Sequence, residues 1–282
     1  MENNTKTGLL LIIIGMIIAA ISNILLFFID FNVDISNIEE IYVVILPALI
    51  VAVVGGLLIL IGALLMIIGR KDYGEQHSKF VVYAIVIFCI NIVAAIILKV
   101  IQSALIYLQV SSPMSGPSSY DFSGMIIMAL IQMIISTIMG GLCYVFLLYH
   151  LENEKGRYVL FAAFITSIVL AIGIAIYNYG VLTEMINGML NSGDYSSSVA
   201  SQALAQISNI SKAGILNIVS GILFIIATYI PYRRITSGEL VPVLPSHLKR
   251  CHNCGRVVRK DYKICPYCGK EIEAHYQIGY ED

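Results

Sequence analysis

The chain has 282 residues, of which 58% are apolar and 12% charged; its net charge is −1 and its mean hydropathy +0.85. Soluble domains average roughly 45–50% apolar and about 25% charged residues, so this chain lacks the residues that would cover a water-facing surface. A globular soluble protein is excluded, and the small net charge by itself says nothing about partners.

Six apolar segments follow one another, at about residues 8–29, 41–68, 80–98, 124–149, 157–180 and 213–232. A helix needs about 20 apolar residues to cross a hydrocarbon core of roughly 30 Å. Only helices and closed barrels satisfy their own backbone amides in lipid. The expected fold is an all-α membrane protein, a six-helix transmembrane bundle spanning residues 1–235. In the first segment Ala20-Ile21-Ser22 resembles a signal-peptide cleavage site, but the apolar run continues through residues 24–29, so this span is expected to be retained.

The connections alternate in charge. Lys6 precedes the first segment, Arg70, Lys71 and Lys79 follow the second, Lys155 and Arg157 follow the fourth, and Arg233 and Arg234 follow the sixth. Between them, residues 30–40 carry Asp30, Asp34, Glu39 and Glu40 without a base, residues 110–123 only Asp121, and residues 181–212 only Lys212 as a base. Basic loops stay in the cytosol. A multi-pass protein of the cell membrane with both termini cytosolic is therefore expected.

Two outer connections read as structured. The third segment continues amphipathically through Val100, Ile101, Ala104, Leu105 and Leu108, so residues 80–109 would make a helix of about 45 Å. Residues 181–190 and 197–211 have helical patterns of their own, whereas residues 111–119, with Pro113, Gly116 and Pro117, read as a loop.

Glycine placement is more informative than glycine number. Gly8 and Gly15, then Gly55, Gly62 and Gly69, then Gly173 and Gly180, and Gly214 and Gly221 each repeat every seven residues. That spacing keeps them on one helix face and predicts close helix packing. The pairs Gly55-Gly56, Gly140-Gly141 and Ser220-Gly221 lie in comparable places of three successive hairpins, a rhythm that any six-span protein can show.

By these limits no Asp, Glu or His lies inside a span. Lys99 comes at the outer end of the third segment, where its side chain can snorkel. Asn91, Gln132 and Asn217 could line a path, but interhelical hydrogen bonding accounts for most such neutral polar groups. The motifs HExxH, G-x-S-x-G, Walker A and GxGxxG followed by an acid are all missing. No catalytic and no organic-cofactor residues are assigned, and the protein is read as a non-enzyme.

The motif that carries chemistry is Cys251-His252-Asn253-Cys254-Gly255, then Cys265-Pro266-Tyr267-Cys268-Gly269. Two C-x2-C turns separated by ten residues present four thiolates to one ion, and the glycines can close the turns. Cys251, Cys254, Cys265 and Cys268 suit a closed structural Zn²⁺ site, with a redox dithiol or an iron centre as alternatives and His252 as a less suitable ligand. Val257, Val258, Tyr262 and Ile264 are expected to form a tiny hairpin core whose folding depends on the metal. Cys89 and Cys143 stand alone in apolar runs and read as small buried side chains.

With that motif, residues 249–272 resemble the zinc-ribbon family, in particular the short ribbons appended to many microbial membrane proteins. The resemblance implies a structural binding module of β-hairpin type. The spanning region is similar to microbial multi-pass membrane proteins of unassigned function, which implies no activity. Lys249, Arg250, Arg256, Arg259, Lys260, Lys263 and Lys270 against Asp261 make the ribbon basic. Its expected partners are a cytosolic protein or anionic lipid headgroups, with nucleic acid less favoured. Residues 236–248, with Pro242 and Pro245, read as an extended spacer, and residues 273–282 as a tail. The functional expectation is a membrane-embedded anchor or sensor with a cytosolic interaction or regulatory ribbon; the alternative is a small-solute transporter or channel with the ribbon as an appendage.

Overall fold

A computed structural model describes residues 4–28, 38–111, 123–192, 213–243 and 248–272. Six long helices dominate: α1 (Asn4–Phe28), α2 (Ile38–Ile68), α3 (Glu75–Ser111), α4 (Ser123–Leu148), α5 (Glu154–Ser192) and α6 (Asn217–Thr236), the last led in by a 3-10 turn at Gly214–Leu216. All six contain stretches long and apolar enough to cross a membrane, from Asn4–Leu25 to Gly214–Thr236. Large apolar side chains remain exposed along their outer faces, such as Ile68, Val93 and Ile176. In water such faces would have to be covered; around a bundle in lipid they are in their solvent.

α3 and α5 are the longest, at 37 and 39 residues. At 1.5 Å per residue each exceeds 50 Å, well beyond the bilayer core of roughly 30 Å. The expected helical continuation of α3 past Lys99 is present and reaches Ser111. Residues 181–190 are not a separate helix but continue α5 without a break to Ser192. The reading of residues 197–211 as helical, and most of the loop at 111–119, lies outside the described residues.

Each helix packs on its chain neighbours, α1 on α2, α3 on α4, α4 on α5, α5 on α6, and α6 returns to α1. The ring is weakest between α2 and α3, which touch little although only residues 69–74 join them. The largest core cluster lies where α1, α3 and α5 begin and α2, α4 and α6 end, around Leu9, Met66, Val81, Leu148, Leu160 and Ala227. The basic loops meet at this same end. Lys6 sits over the Tyr232 ring, Thr5 Oγ1 donates to the Gly69 carbonyl (3.3 Å), His150 Nε2 bonds Gln76 Oε1 (2.7 Å), and Arg234 donates to the Leu151 carbonyl (2.6 Å). We call it the basic end.

Glycines explain the tightest helix pair. A Cβ on Gly8 would stand 2.5 Å from the Gly62 carbonyl oxygen, and one on Gly55 would stand 2.9 Å from that of Gly15. Gly69 in turn lies against Thr5. The two heptad glycine rows therefore face each other and let α1 and α2 touch backbone to backbone. The same spacing elsewhere does not do this: a Cβ on Gly173, Gly180, Gly214 or Gly221 would meet nothing within 4 Å among the described residues. Spacing places small residues on one face, but only a helix brought against that face uses them. The three hairpin small-residue pairs also differ, since Gly141 meets Phe164 and Ser167 of α5 while Gly56, Gly140 and Gly221 face open space. Gly62→Ala is accordingly expected to lower the stability of the detergent-solubilised protein by about 1–3 kcal/mol through overpacking, while Gly173→Ala leaves it unchanged or slightly higher; thermal unfolding of both variants checks the contrast.

Neutral polar groups bond mainly within their own helices, not between helices as expected. Thr137, Ser167, Ser220 and Thr228 donate to carbonyls three or four residues back, which short hydroxyl side chains reach more easily than a neighbouring helix. Ser22 to the Ala48 carbonyl (2.8 Å) and Cys143 to the Ala84 carbonyl (3.5 Å) do cross between helices. Cys89, read as buried, is exposed on α3.

The spacer after α6 is not a free extended arm throughout. Arg233 and Arg234 occupy the last turn of α6, Gly238 takes φ +78°, and the amides of Ser237 and Leu240 return to the carbonyls of Arg233 and Arg234. This closes the helix as a glycine-terminated cap. Leu240 then packs on the basic-end core, and the Val243 amide donates to the Asp72 carbonyl at 2.6 Å. Residues 237–243 thus strap back across the bundle.

Candidate metal centre

The four cysteines come together at the C-terminal module. A two-stranded antiparallel hairpin, β1 (Leu248–Arg250) and β2 (Val257–Arg259), pairs Lys249 with Val258 and Arg250 with Val257. Each C-x2-C turn closes in the same way. The Gly255 amide donates to the Cys251 carbonyl (2.8 Å) and the Gly269 amide to the Cys265 carbonyl (2.9 Å). The Cys251 and Cys265 amides in turn donate to Arg256 and Lys270, both at 2.9 Å. Gly255 and Gly269 take φ values of +71° and +69°, a region that L side chains rarely adopt, so glycine is what the turns require.

The sulfur geometry suits one ion. All four Sγ atoms lie within 4.8 Å of one another, with Cys251–Cys268 at 3.7 Å and Cys254–Cys265 at 3.6 Å. A tetrahedron with metal–sulfur bonds of about 2.3 Å has edges of about 3.8 Å, which the observed pairs match. A cluster that binds each thiolate through a different iron would spread the sulfurs further. Among the described residues this candidate group consists of cysteines alone, and His252 is exposed outside it.

The surroundings favour the thiolate at two of these cysteines and oppose it at a third. Backbone amides pull Cys268 down to about 6, chiefly that of Lys270, and those of Cys254 and Asn253 lower Cys251. The Arg256 amide also pulls on Cys254, but burial and the neighbouring sulfurs outweigh it and push this thiol up to about 11. Four thiolates at this separation repel one another, and a divalent cation relieves that repulsion.

The module's core is smaller than the sequence suggested and differently composed. Cys251, Val258, Cys265 and Ile272 are buried together. Val257, Tyr262 and Ile264 are exposed. Residue alternation explains Val257, because its neighbour Val258 takes the inward face of β2. Ile272 was missed because it follows the second turn; it is brought in by its amide bond to the Lys263 carbonyl (2.7 Å) and by the Ile264–Glu271 bridge.

A second polar feature lies at the basic end of the bundle. Glu152 is only 3% exposed and His77 is fully buried; among the described residues neither Glu152 oxygen nor either His77 ring nitrogen has a hydrogen-bond partner. The Tyr73 ring meets His77 edge-on. Glu152 precedes α5, whose start is capped by Asn153 Oδ1 accepting the Gly156 amide (2.8 Å). Gly156 leaves the space that the Glu152 carboxylate occupies, since any Cβ there would overlap Oε2. Burial pushes the Glu152 carboxyl up to about 8, although Arg234 and Arg157 pull it back. No sequence signal points to this site, because Glu152 stands in a short charged connection that reads as solvated.

Lys99 reaches Gln102 Oε1 at 3.4 Å and borders an open groove of about 500 Å³ with Ile92, Ala95, Ile96, Val100 and Ser103, all of α3. Among the described residues the groove is lined by this one helix.

Fold and site together define a polytopic membrane protein with a C-terminal four-cysteine metal-binding module. Comparison with protein-family models, with curated proteins and with solved structures finds no match to this chain.

Proposed function

We propose that the chain is a non-enzymatic multi-pass protein of the cell membrane whose module is a structural zinc ribbon, displayed in the cytosol as an interaction module. The observation that carries this reading is the cluster of four sulfurs: they would fill every tetrahedral position of a bound ion and leave none for a substrate, as in structural zinc sites. Zinc is preferred over iron because the thiolate set suits both, while zinc alone needs no redox control. The cytosolic side is supported by the gathering of Lys6, Arg70, Lys71, Lys155, Arg157, Arg233 and Arg234 at one end, the end on which basic loops remain. It is also the reducing compartment, in which thiols stay free for metal.

Metal analysis of the purified full chain tests the reading: one equivalent of zinc is expected, and a metal-free or iron-containing protein overturns it. Protease protection in sealed inverted vesicles tests the side, with cleavage within residues 249–270 expected from the exposed cytosolic face once a chelator has removed the metal and unfolded the module.

A second reading, small-solute transport with the ribbon as an appendage, is favoured by the buried groups of Glu152, His77, Asn91 and Asn178, which have no hydrogen-bond partner among the described residues, since buried polar groups in bundles mark solute or proton routes. It predicts that a chain lacking residues 244–282 still moves protons or a solute in liposomes.

A further inference from the structure

We infer that the outer face of the ribbon hairpin docks on the anionic headgroups of the bilayer that holds the bundle. This rests on the reading of the module as a cytosolic metal ribbon and adds its partner. Three observations lead to it.

The first is reach. Val243 is held at the basic end by its bond to Asp72, and β1 starts at Leu248. Five residue steps separate the two, and an extended chain covers at most about 3.3–3.6 Å per residue, so the ribbon begins within about 18 Å of the bundle's basic end. A module on so short a lead remains beside the headgroup layer.

The second is charge. Residues 248–272 carry seven Lys and Arg against Asp261 and Glu271. Of these acids, Asp261 is engaged by Arg259 at 3.2 Å in an exposed pair, which is worth little in water and leaves the field strongly positive.

The third is the character of the exposed side chains. In the hairpin register Arg250 and Val257 pair and share a face with Arg259, opposite the face that buries Val258. Beyond it the Arg256 guanidinium stacks over the Tyr267 ring at 4.8 Å, with Tyr267 58% and Ile264 61% exposed. Arginines interleaved with aromatic and aliphatic groups suit the headgroup region, where rings and guanidinium groups both find partners. Anionic lipid attracts each such base, and the attraction is lost with salt.

The chain contains no tryptophan, so Tyr267→Trp makes a single reporter in the zinc-loaded full-length protein. It is reconstituted into phosphatidylcholine vesicles with or without about one-third phosphatidylserine. The ribbon faces its own bilayer in either insertion direction. In anionic vesicles the emission is expected to shift to the blue and to be quenched by lipids brominated near the headgroup, and high salt is expected to reverse both. Arg250→Glu combined with Arg259→Glu should weaken the response roughly tenfold or more. Ile264→Trp repeats the measurement should the first reporter lose zinc. Equal emission in both vesicle types with one zinc bound overturns the docking and leaves the ribbon reading intact. Zinc-free protein from both reporters and from the parent chain overturns both readings. A shift caused by added RNA or duplex DNA but not by anionic lipid overturns the docking and assigns the face to nucleic acid.

Discussion

Cys265→Ser is expected to abolish metal binding and to unfold residues 248–272 while the helical bundle stays intact. The buried set of the module is Cys251, Val258, Cys265 and Ile272, so half of its core is metal ligand. Units below about 40 residues usually need a metal, disulfide or partner to fold, and in a structural zinc site the binding energy is the folding energy. Losing one thiolate opens the cage and removes a core side chain at once. Metal analysis should fall from one equivalent to none, and trypsin should cleave rapidly at Arg256, Arg259 and Lys263, which the hairpin otherwise holds. The thermal midpoint of the bundle should not move, because its core lies among the helix ends. Cys89→Ser and Cys143→Ser should leave the metal content unchanged, since neither belongs to the four-sulfur group. Retention of zinc and protease resistance in Cys265→Ser would show that the ribbon folds by other means.

Glu152→Gln is expected to make the bundle more stable at alkaline pH and to remove a pH dependence that the parent protein shows. The folded carboxyl keeps its proton up to about 8, against an ordinary value of 4.5, because burial disfavours its charge. The folded state therefore binds the proton more tightly than the unfolded state. The sign follows from linkage: this group costs nothing below about pH 4.5, and the protein loses stability as pH rises from there to about 8, above which the loss is constant. At 1.36 kcal/mol per pKa unit, an effect on the order of 5 kcal/mol accumulates across that window. Glutamine keeps the shape and stays neutral throughout. Thermal midpoints of the two proteins should coincide near pH 5 and separate in favour of the variant by pH 8; parallel curves would mean that the carboxylate finds a partner or water when ionised.

The sequence was most legible where a chemical requirement acts locally. Six long apolar runs had to become helices, because lipid offers no partner for backbone amides. The C-x2-C-Gly turns were equally legible, since Gly255 and Gly269 adopt the positive φ that closing such a turn demands. The loop bases foretold one basic end, and Lys6, Arg157 and Arg234 do meet there.

Tertiary structure alone decided the properties that depend on what stands opposite a residue. The heptad glycines read alike along the chain, yet Gly8 and Gly62 touch backbone while Gly173 and Gly221 face open space. Only helix arrangement distinguishes them. Glu152 is an acid in a basic loop, and nothing in its neighbours announces that Gly156 and the ends of the helices would enclose it. Residues 237–243 read as a spacer, and they became a strap because Leu240 found the core and Val243 found the Asp72 carbonyl. The four clustered cysteines of the C-terminal module were set by residue type and spacing, which act within a few residues of chain. Burial, docking and glycine contact are set by partners far along the chain, and the local pattern does not encode which partner arrives.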